Sequence, residues 1–356
     1  MAEFPTHPDA VTPGWLSETL GVHIDAVEWV PIGTGQVADS VRFSLSTSEA
    51  GTVRATLAAK FPAADATSRG TAALMGLYAK EVRFYREIAP LLDVRVPEVH
   101  FTGLSEDGSE FLLLFEDLGP ARGGDQIAGC TLGDAEAAIR QAAAIHAPSW
   151  RNEDILGRDW LQVQPELTAQ LRELYPQAQA VWRERYADLL EPEFMALSED
   201  VAALSDCIFA MREEEPTGLV HGDFRLDNML FDICNGAEAA AILDWQTVSP
   251  GKPLTDIGYF LGCGIGQELR DAHEDHLLDL YCVEMGQRGV SLTRDGIWSD
   301  YRRGALSGLT TAVFSAAFVE RTERGDANFL SMARGACALA LEHDSLATLK
   351  EQCDGA

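Results

Sequence analysis

The chain has 356 residues, 46% of them apolar, which is enough for two packed lobes with a real core. Lys and Arg number 27 against 56 Asp and Glu, giving a formal net charge of −29. A surface that acidic repels phosphate backbones and anionic bilayers, so it argues against nucleic acid or a membrane as partner.

The N-terminal stretch carries Glu3 and Pro5 and no apolar run, so it does not read as a signal peptide. Residues 26–32 (AVEWVPI), 36–46 (QVADSVRFSLS) and 52–61 (TVRATLAAKF) alternate as strands do, with Gly-containing turns between them. The period then changes. Over 72–92 a helical repeat puts Leu74, Leu77, Tyr78, Val82, Tyr85 and Ile88 on one face, and Pro90 and Pro97 bound the exit. Residues 99–104 (VHFTGL) and 110–116 (EFLLLFE) read as two more strands. Residues 1–117 are therefore expected to form one domain, an antiparallel sheet carrying one helix.

After Gly119-Pro120 the pattern turns helical. Thr131 caps a helix over 131–147, and two acidic amphipathic helices follow at 165–190 and 191–214. A strand-rich island at 219–250 interrupts them, and helices resume from 255. Residues 118–356 are expected to form a second, mainly helical domain, and the fold class is α+β. The longest apolar run, 306–319, is too short to span a bilayer and reads as a buried helix. The seven cysteines form no C-x-x-C, which disfavours structural zinc and fits reduced thiols in a cytoplasmic protein.

The island holds the chemistry. His221-Gly222-Asp223-Phe224-Arg225-Leu226-Asp227-Asn228 sets an Asp and an Asn five residues apart behind the apolar pair Leu219-Val220. A second apolar run, Ala240 to Leu243, ends in Asp244. Asp and Asn between strands also make turns. Two short strands that each end in a hard oxygen donor suit a magnesium–phosphate site, because magnesium takes oxygen ligands and keeps several waters.

The segment H-G-D-F-R-L-D-N resembles the catalytic loop of the aminoglycoside phosphotransferase and choline-kinase-like superfamily, which shares the protein-kinase fold. The resemblance spans roughly residues 25–345 and implies a two-lobed, kinase-like architecture. It implies Asp223 as catalytic aspartate, Asn228 and Asp244 as ligands of two magnesium ions, and ATP as phosphoryl donor. Asp256, in the stretch from Ser249 to Leu261, matches the structural acid of that superfamily.

The other parts of a kinase site occur in the expected order. Gly33 and Gly35 sit in a turn between the first two strands, as a phosphate-covering loop or an ordinary hairpin turn. Lys60 ends the third strand, where the superfamily places the phosphate-holding lysine. Glu81 lies 21 residues on, in the one predicted helix, as partner of that lysine, with Glu87 the alternative. Phe115 takes the gatekeeper position, and the backbone of Glu116 and Leu118 would meet adenine.

The chain departs from protein kinases at Gly222, which replaces an arginine, at Trp245-Gln246, which replaces Phe-Gly, and in having no A-P-E motif. The D-W-Q form, with E-V-R-F-Y-R-E and I-H-A-P-S-W around His146, resembles the ecdysteroid-kinase-like branch. Only residues 245–255 separate Asp244 from Asp256, too few for a peptide-binding platform, so a small-molecule hydroxyl is the expected acceptor. Trp182, Tyr281, Tyr301, Phe314 and Phe318 either enclose that acceptor or fill the core. The alternative function is a kinase-fold protein that binds nucleotide without transferring phosphate. The joint presence of Lys60, Glu81, Asp223, Asn228 and Asp244 argues against it.

Overall fold

The computed structural model describes residues 4–33, 38–48, 55–211, 213–319 and 321–355. The chain divides into two compact units. One comprises residues 1–91, 95–121 and 232–248, and the other residues 92–94, 122–231 and 249–356.

The first unit opens with α1 (Pro13–Leu20), started by Pro13 and by Thr12, whose hydroxyl accepts the Trp15 N–H. Strands β1 (Ala26–Ile32), β2 (Ala38–Ser46) and β3 (Thr56–Pro62) follow. After helices α2 (Ala66–Leu74) and α3 (Leu77–Arg83) come β4 (Val99–Leu104) and β5 (Phe111–Glu116). They form an antiparallel five-stranded sheet in the order β1-β2-β3-β5-β4. Alternation sends Val41 and Phe43 of β2, Leu57, Ala59 and Phe61 of β3, and Leu112 and Leu114 of β5 into one cluster, closed by Leu16 of α1.

The helix expected over 72–92 is broken into four pieces, the last a 3-10 turn at Ala89–Leu91. Gly76 takes a left-handed φ of 67°, which ends α2, restarts the chain as α3 and resets the phase of the buried face. Leu74 consequently lies 89% exposed, while Tyr78, Glu81 and Val82 are buried. A π-helical turn, Phe84–Ile88, then continues α3. It buries Phe84, whose ring stacks on Trp245 at 3.8 Å between centroids.

The second unit begins at β6 (Arg122–Gly123) and α4 (Leu132–Ser149). Thr131 and Asp134 cap α4 reciprocally. Helices α5 (Glu153–Leu156), α6 (Pro165–Tyr186), α7 (Pro192–Ala203) and α8 (Ser205–Ala210) lead to the short strands β7 (Gly218–Val220) and β8 (Met229–Asp232). The chain returns to the first unit through α9 (Ile233–Gly236) and β9 (Glu238–Ile242), whose Ile242 N–H donates to Arg95 O at 3.0 Å. It re-enters the second unit at β10 (Ser249–Gly251), paired with β7. It ends in α10 (Leu254–Cys263), α11 (Gln267–Gln287), α12 (Arg294–Phe318), α13 (Glu323–Glu342) and α14 (Ser345–Gly355). Among the described residues no helix is long and apolar enough to cross a membrane.

Small residues let α10 pack backbone to backbone. A Cβ on Gly258 would stand 2.4 Å from Gly304 C of α12, and one on Gly335 of α13 would stand 2.0 Å from Gly262 O. Trp182, Tyr281 and Tyr301 are fully buried core residues rather than pocket lining, while Phe318 is 61% exposed. Tyr301 donates its hydroxyl to Glu274, and Tyr281 is bonded to His146.

The expectation that all seven cysteines are reduced is also corrected. Cys207 of α8 and Cys353 of α14 form a disulfide with Cα atoms 5.7 Å apart. The residues are 146 positions apart, and only the packing of the two helices brings them together.

Candidate active site

In the first unit three expected residues meet. β3 carries Lys60, α3 carries Glu81, and the turn after β9 carries Asp244. Lys60 Nζ donates to Glu81 Oε1 and Oε2 at 2.9 and 2.8 Å and to Asp244 Oδ1 at 2.7 Å. Glu87 is not needed as the partner. The lysine and glutamate side chains are only 14% and 2% exposed, whereas Asp244 is 30% exposed. Burial disfavours the charged lysine, yet the charges of Asp244 and Glu81 raise its pKa above the ordinary value. One cation serves two carboxylates, so burial and Asp244 together raise the Glu81 carboxyl against the pull of Lys60. Asp244 has φ 64°, a left-handed conformation that costs free energy in a non-glycine residue and that surrounding packing must hold. Trp245, stacked on Phe84, anchors the next residue.

The segment after β5 keeps Glu116 and Leu118 close but uses them differently. The Glu116 carboxylate accepts from Arg95 Nη1 and from the Glu98 N–H, so its side chain is committed to the fold. The Leu118 carbonyl accepts the Cys234 N–H at 3.0 Å, and its own N–H has no partner among the described residues. Gly33 ends β1 with φ 75°, and Gly35 lies outside the described residues.

In the second unit the loop between β7 and β8 brings Asp223 and Asn228 together. Asn228 Nδ2 donates to Asp223 Oδ2 at 2.8 Å and to the Asp223 carbonyl at 2.8 Å. Its Oδ1, the hard oxygen a magnesium ion takes, has no partner among the described residues. In the first unit, Asp244 Oδ2 accepts Gln246 Nε2 at 3.3 Å. An amide oxygen and a partly exposed carboxylate are each the kind of hard oxygen donor that magnesium takes.

Gly222 has φ 81°, a left-handed conformation that glycine adopts without the strain a side chain would bring. Asp256, in the first turn of α10, fixes the loop from below. Its Oδ2 accepts the His221 N–H at 2.7 Å, and its Oδ1 accepts the Gly222 N–H at 3.0 Å. His146 lies under the loop, fully buried, with Nε2 3.2 Å from Asp256 Oδ2 and Nδ1 3.0 Å from the Tyr281 hydroxyl. The carboxylate only accepts, so the network assigns the ring proton to Nε2.

Three residues that sequence reasoning passed over complete the loop. Arg225 donates from Nε to Asp223 at 3.1 Å and from Nη1 to Asp227 at 3.1 Å. Tyr259 donates its hydroxyl to Asp223 Oδ1 at 2.8 Å. Burial alone would raise the Asp223 carboxyl, but the Arg225 charge and the Tyr259 hydrogen bond outweigh it and lower the pKa. Gln126 donates its N–H to Asp227 at 2.9 Å and accepts the Leu226 N–H at 3.3 Å. Arg225 lies inside the motif, and Tyr259 follows Asp256 at the i, i+3 spacing that shares a helix face. Nothing local in the sequence marks Gln126.

Residues 39–289, more than half the chain, match the phosphotransferase enzyme family. Among solved structures, the chain resembles a Ralstonia eutropha JMP134 protein that carries the aminoglycoside phosphotransferase designation. The identity is 17% and the TM-score 0.56, with 93% of this chain and 97% of that one covered. It also resembles choline kinase from Cryptosporidium parvum Iowa II, at 12% identity and TM-score 0.53, covering 97% and 94% of the two chains. Both likenesses show the fold. Among curated proteins, 80 residues are 32% identical to acyl-CoA dehydrogenase family member 11 of Gallus gallus, a match covering 22% of this chain and 10% of that protein. With the family match covering the strand, helix and loop that carry Lys60, Glu81, Asp223, Asn228 and Asp244, the chain belongs to the phosphotransferase enzyme family.

Proposed function

We propose that the protein transfers the γ-phosphoryl group of ATP to a hydroxyl of a small molecule. The observation that carries this reading is the Lys60–Glu81–Asp244 cluster, in which a buried lysine is held as a cation between two carboxylates. A lysine so placed is a rigid positive point for phosphate oxygens rather than a structural ion pair with one acid. Glu81 sets its direction. The backbone of Glu116 and of Leu118, whose N–H has no partner among the described residues, would take the purine.

Asn228 Oδ1 and the Asp244 carboxylate would hold magnesium, which when bound supplies positive charge to the phosphate oxygens. Asp223 accepts the hydrogen bond of the acceptor hydroxyl and so points its lone pair at phosphorus. As the new O–P bond forms and the bond to ADP breaks, the hydroxyl proton passes to the Asp223 carboxylate. A carboxyl held low in pKa makes Asp223 an orienting group first and a proton acceptor late. The acceptor belongs to the class of alcohols that includes antibiotics, amino alcohols, sugars and sterol-like compounds. The acidic surface favours a neutral or cationic member. Within the family, D-W-Q and the sequence around His146 support the ecdysteroid-kinase-like branch, and a supply of ATP fits a cytoplasmic site of action.

The test is incubation with Mg·ATP and a panel of hydroxyl compounds, with products read by mass. Asp244→Ala should abolish transfer. Asp223→Asn should lose about 10²- to 10⁴-fold in rate with nucleotide affinity unchanged. Near-normal turnover of Asp244→Ala at millimolar magnesium would overturn the assignment. Tight nucleotide binding with no phosphorylated product across the panel would favour the non-transferring alternative.

A further inference from the structure

One turn of α10 grips the catalytic loop twice. Asp256 takes the loop's backbone through the His221 and Gly222 N–H groups. Tyr259, three residues on and so on the same helix face, takes the loop's side chain through Asp223 Oδ1. We propose that Tyr259 is a positioning residue for phosphoryl transfer, fixing the Asp223 carboxylate in the orientation that presents one lone pair to the acceptor. This rests on the reading of Asp223 as the group that receives the acceptor hydroxyl.

The geometry of the carboxylate carries the argument. Its Oδ2 is held by Asn228 Nδ2 at 2.8 Å, and Arg225 Nε lies 3.0 Å from Oδ1 and 3.1 Å from Oδ2. Arg225 contacts both oxygens from one direction and also serves Asp227, so it neutralises the group without fixing its rotation. Asn228 holds one oxygen only. The Tyr259 hydroxyl is therefore the second fixed point, and two points set the plane of the carboxylate. A carboxylate has about four lone-pair sites, so these donors still leave room for an acceptor hydroxyl. A reacting group misplaced by about 1 Å costs on the order of 100-fold in rate, so a fixed plane matters to the chemistry.

Tyr259 is itself immobilised. It is 2% exposed, and its ring lies against Gly308 of α12, where a Cβ would stand 3.0 Å from ring carbon Cδ2. The same glycine leaves space for Cys263, whose Sγ would stand 2.0 Å from that Cβ. The small residues of α12 thus create the seat that holds the ring, with its hydroxyl 2.8 Å from Asp223 Oδ1. Burial and the Asp223 charge raise the phenol pKa well above its ordinary value, so the hydroxyl remains a donor.

The test uses the full chain and needs no identified acceptor. Phosphate release from Mg·ATP is measured with water in place of the alcohol, alongside the Kd for ATP and the melting temperature. Tyr259→Phe should lower kcat about 10- to 100-fold, the size expected for one hydrogen bond to a charged group. Its Kd for ATP should stay within about twofold, since a positioning group acts on the reacting atoms rather than on substrate binding. Replacement of Tyr259 by para-aminophenylalanine, which keeps a donor on the same ring, should restore most of the rate. Added to Asp223→Asn, Tyr259→Phe should cost nothing further, because it acts only through that carboxylate. Wild-type kcat in Tyr259→Phe, or losses that multiply in the double variant, would overturn the proposal. If Tyr259→Phe does not fold, an inactive but folded para-aminophenylalanine variant would overturn it as well. Wild-type turnover by Asp223→Asn would instead overturn the role given to Asp223.

Discussion

Glu81→Ala and Lys60→Ala, taken singly and together, test whether the cluster on β3 and α3 is one interacting unit. Removing one partner of a buried ion pair costs about 3–5 kcal/mol when the survivor has no other neighbour. That condition is not met equally on the two sides. In Glu81→Ala the lysine keeps Asp244 Oδ1 at 2.7 Å, so the loss should be about 1–3 kcal/mol, below that range. In Lys60→Ala the glutamate remains 2% exposed, keeping the hydrogen bond from the Trp245 backbone but losing its cation, with Asp244 still beside it. Its carboxyl pKa, already raised by burial and by Asp244, lets it take a proton, and the loss should be about 3 kcal/mol. In the double variant no buried charge is left uncompensated at either position, and partly exposed Asp244 remains solvated. The double loss should then fall short of the sum by about 2 kcal/mol, within the range found for contacting residues. Urea unfolding of the four proteins, followed by circular dichroism at equal pH and salt, gives the cycle directly. Nucleotide affinity should weaken in both single variants, more in Lys60→Ala. Additivity within about 0.5 kcal/mol, the behaviour of sites that do not touch, would refute the reasoning.

Two further predictions concern the second unit. Gly258→Ala places a Cβ 2.4 Å from the Gly304 backbone, and neither helix has a flexible side chain there to yield. The loss should be at least about 1–3 kcal/mol, the cost of overpacking, and a thermal melt unchanged from wild type would refute the close α10–α12 contact. The Cys207–Cys353 bond closes a loop of 146 residues. Cys207→Ser, or reduction, should cost about 2–4 kcal/mol in urea unfolding. Alkylation of the denatured, unreduced protein should then label the five free cysteines, and labelling of all seven would refute the bond.

What the sequence made legible is what one short segment carries by itself. Asp223 and Asn228 stand five residues apart in one loop, so their meeting is a local matter and the residue types alone reveal it. Lys60 and Glu81 are each carried by an element with its own period, a strand and a helix face, and adjacent elements usually pack. Asp244 is marked by the apolar run that it ends, but its contact with Lys60, 184 residues away, is not, since no local period joins them. The helix over 72–92 shows the limit of period. Leu74 fits the repeat in sequence, but one left-handed glycine turns it outward. Aromatic content likewise could not say whether Trp182, Tyr281 and Tyr301 line a pocket or fill the core. That depends on which helices bury them, and the helices bury all three. The disulfide was beyond reach for the same reason, because pairing two cysteines 146 residues apart is decided by helix packing and not by spacing. Tyr259 lies between these cases. Its spacing from Asp256 was visible, but its contact with Asp223 exists only because Gly304 and Gly308 let α12 press α10 into place. Asp223 and Asn228 are thus written locally, while the packing around their loop is set by glycines on a distant helix that carry no chemistry of their own.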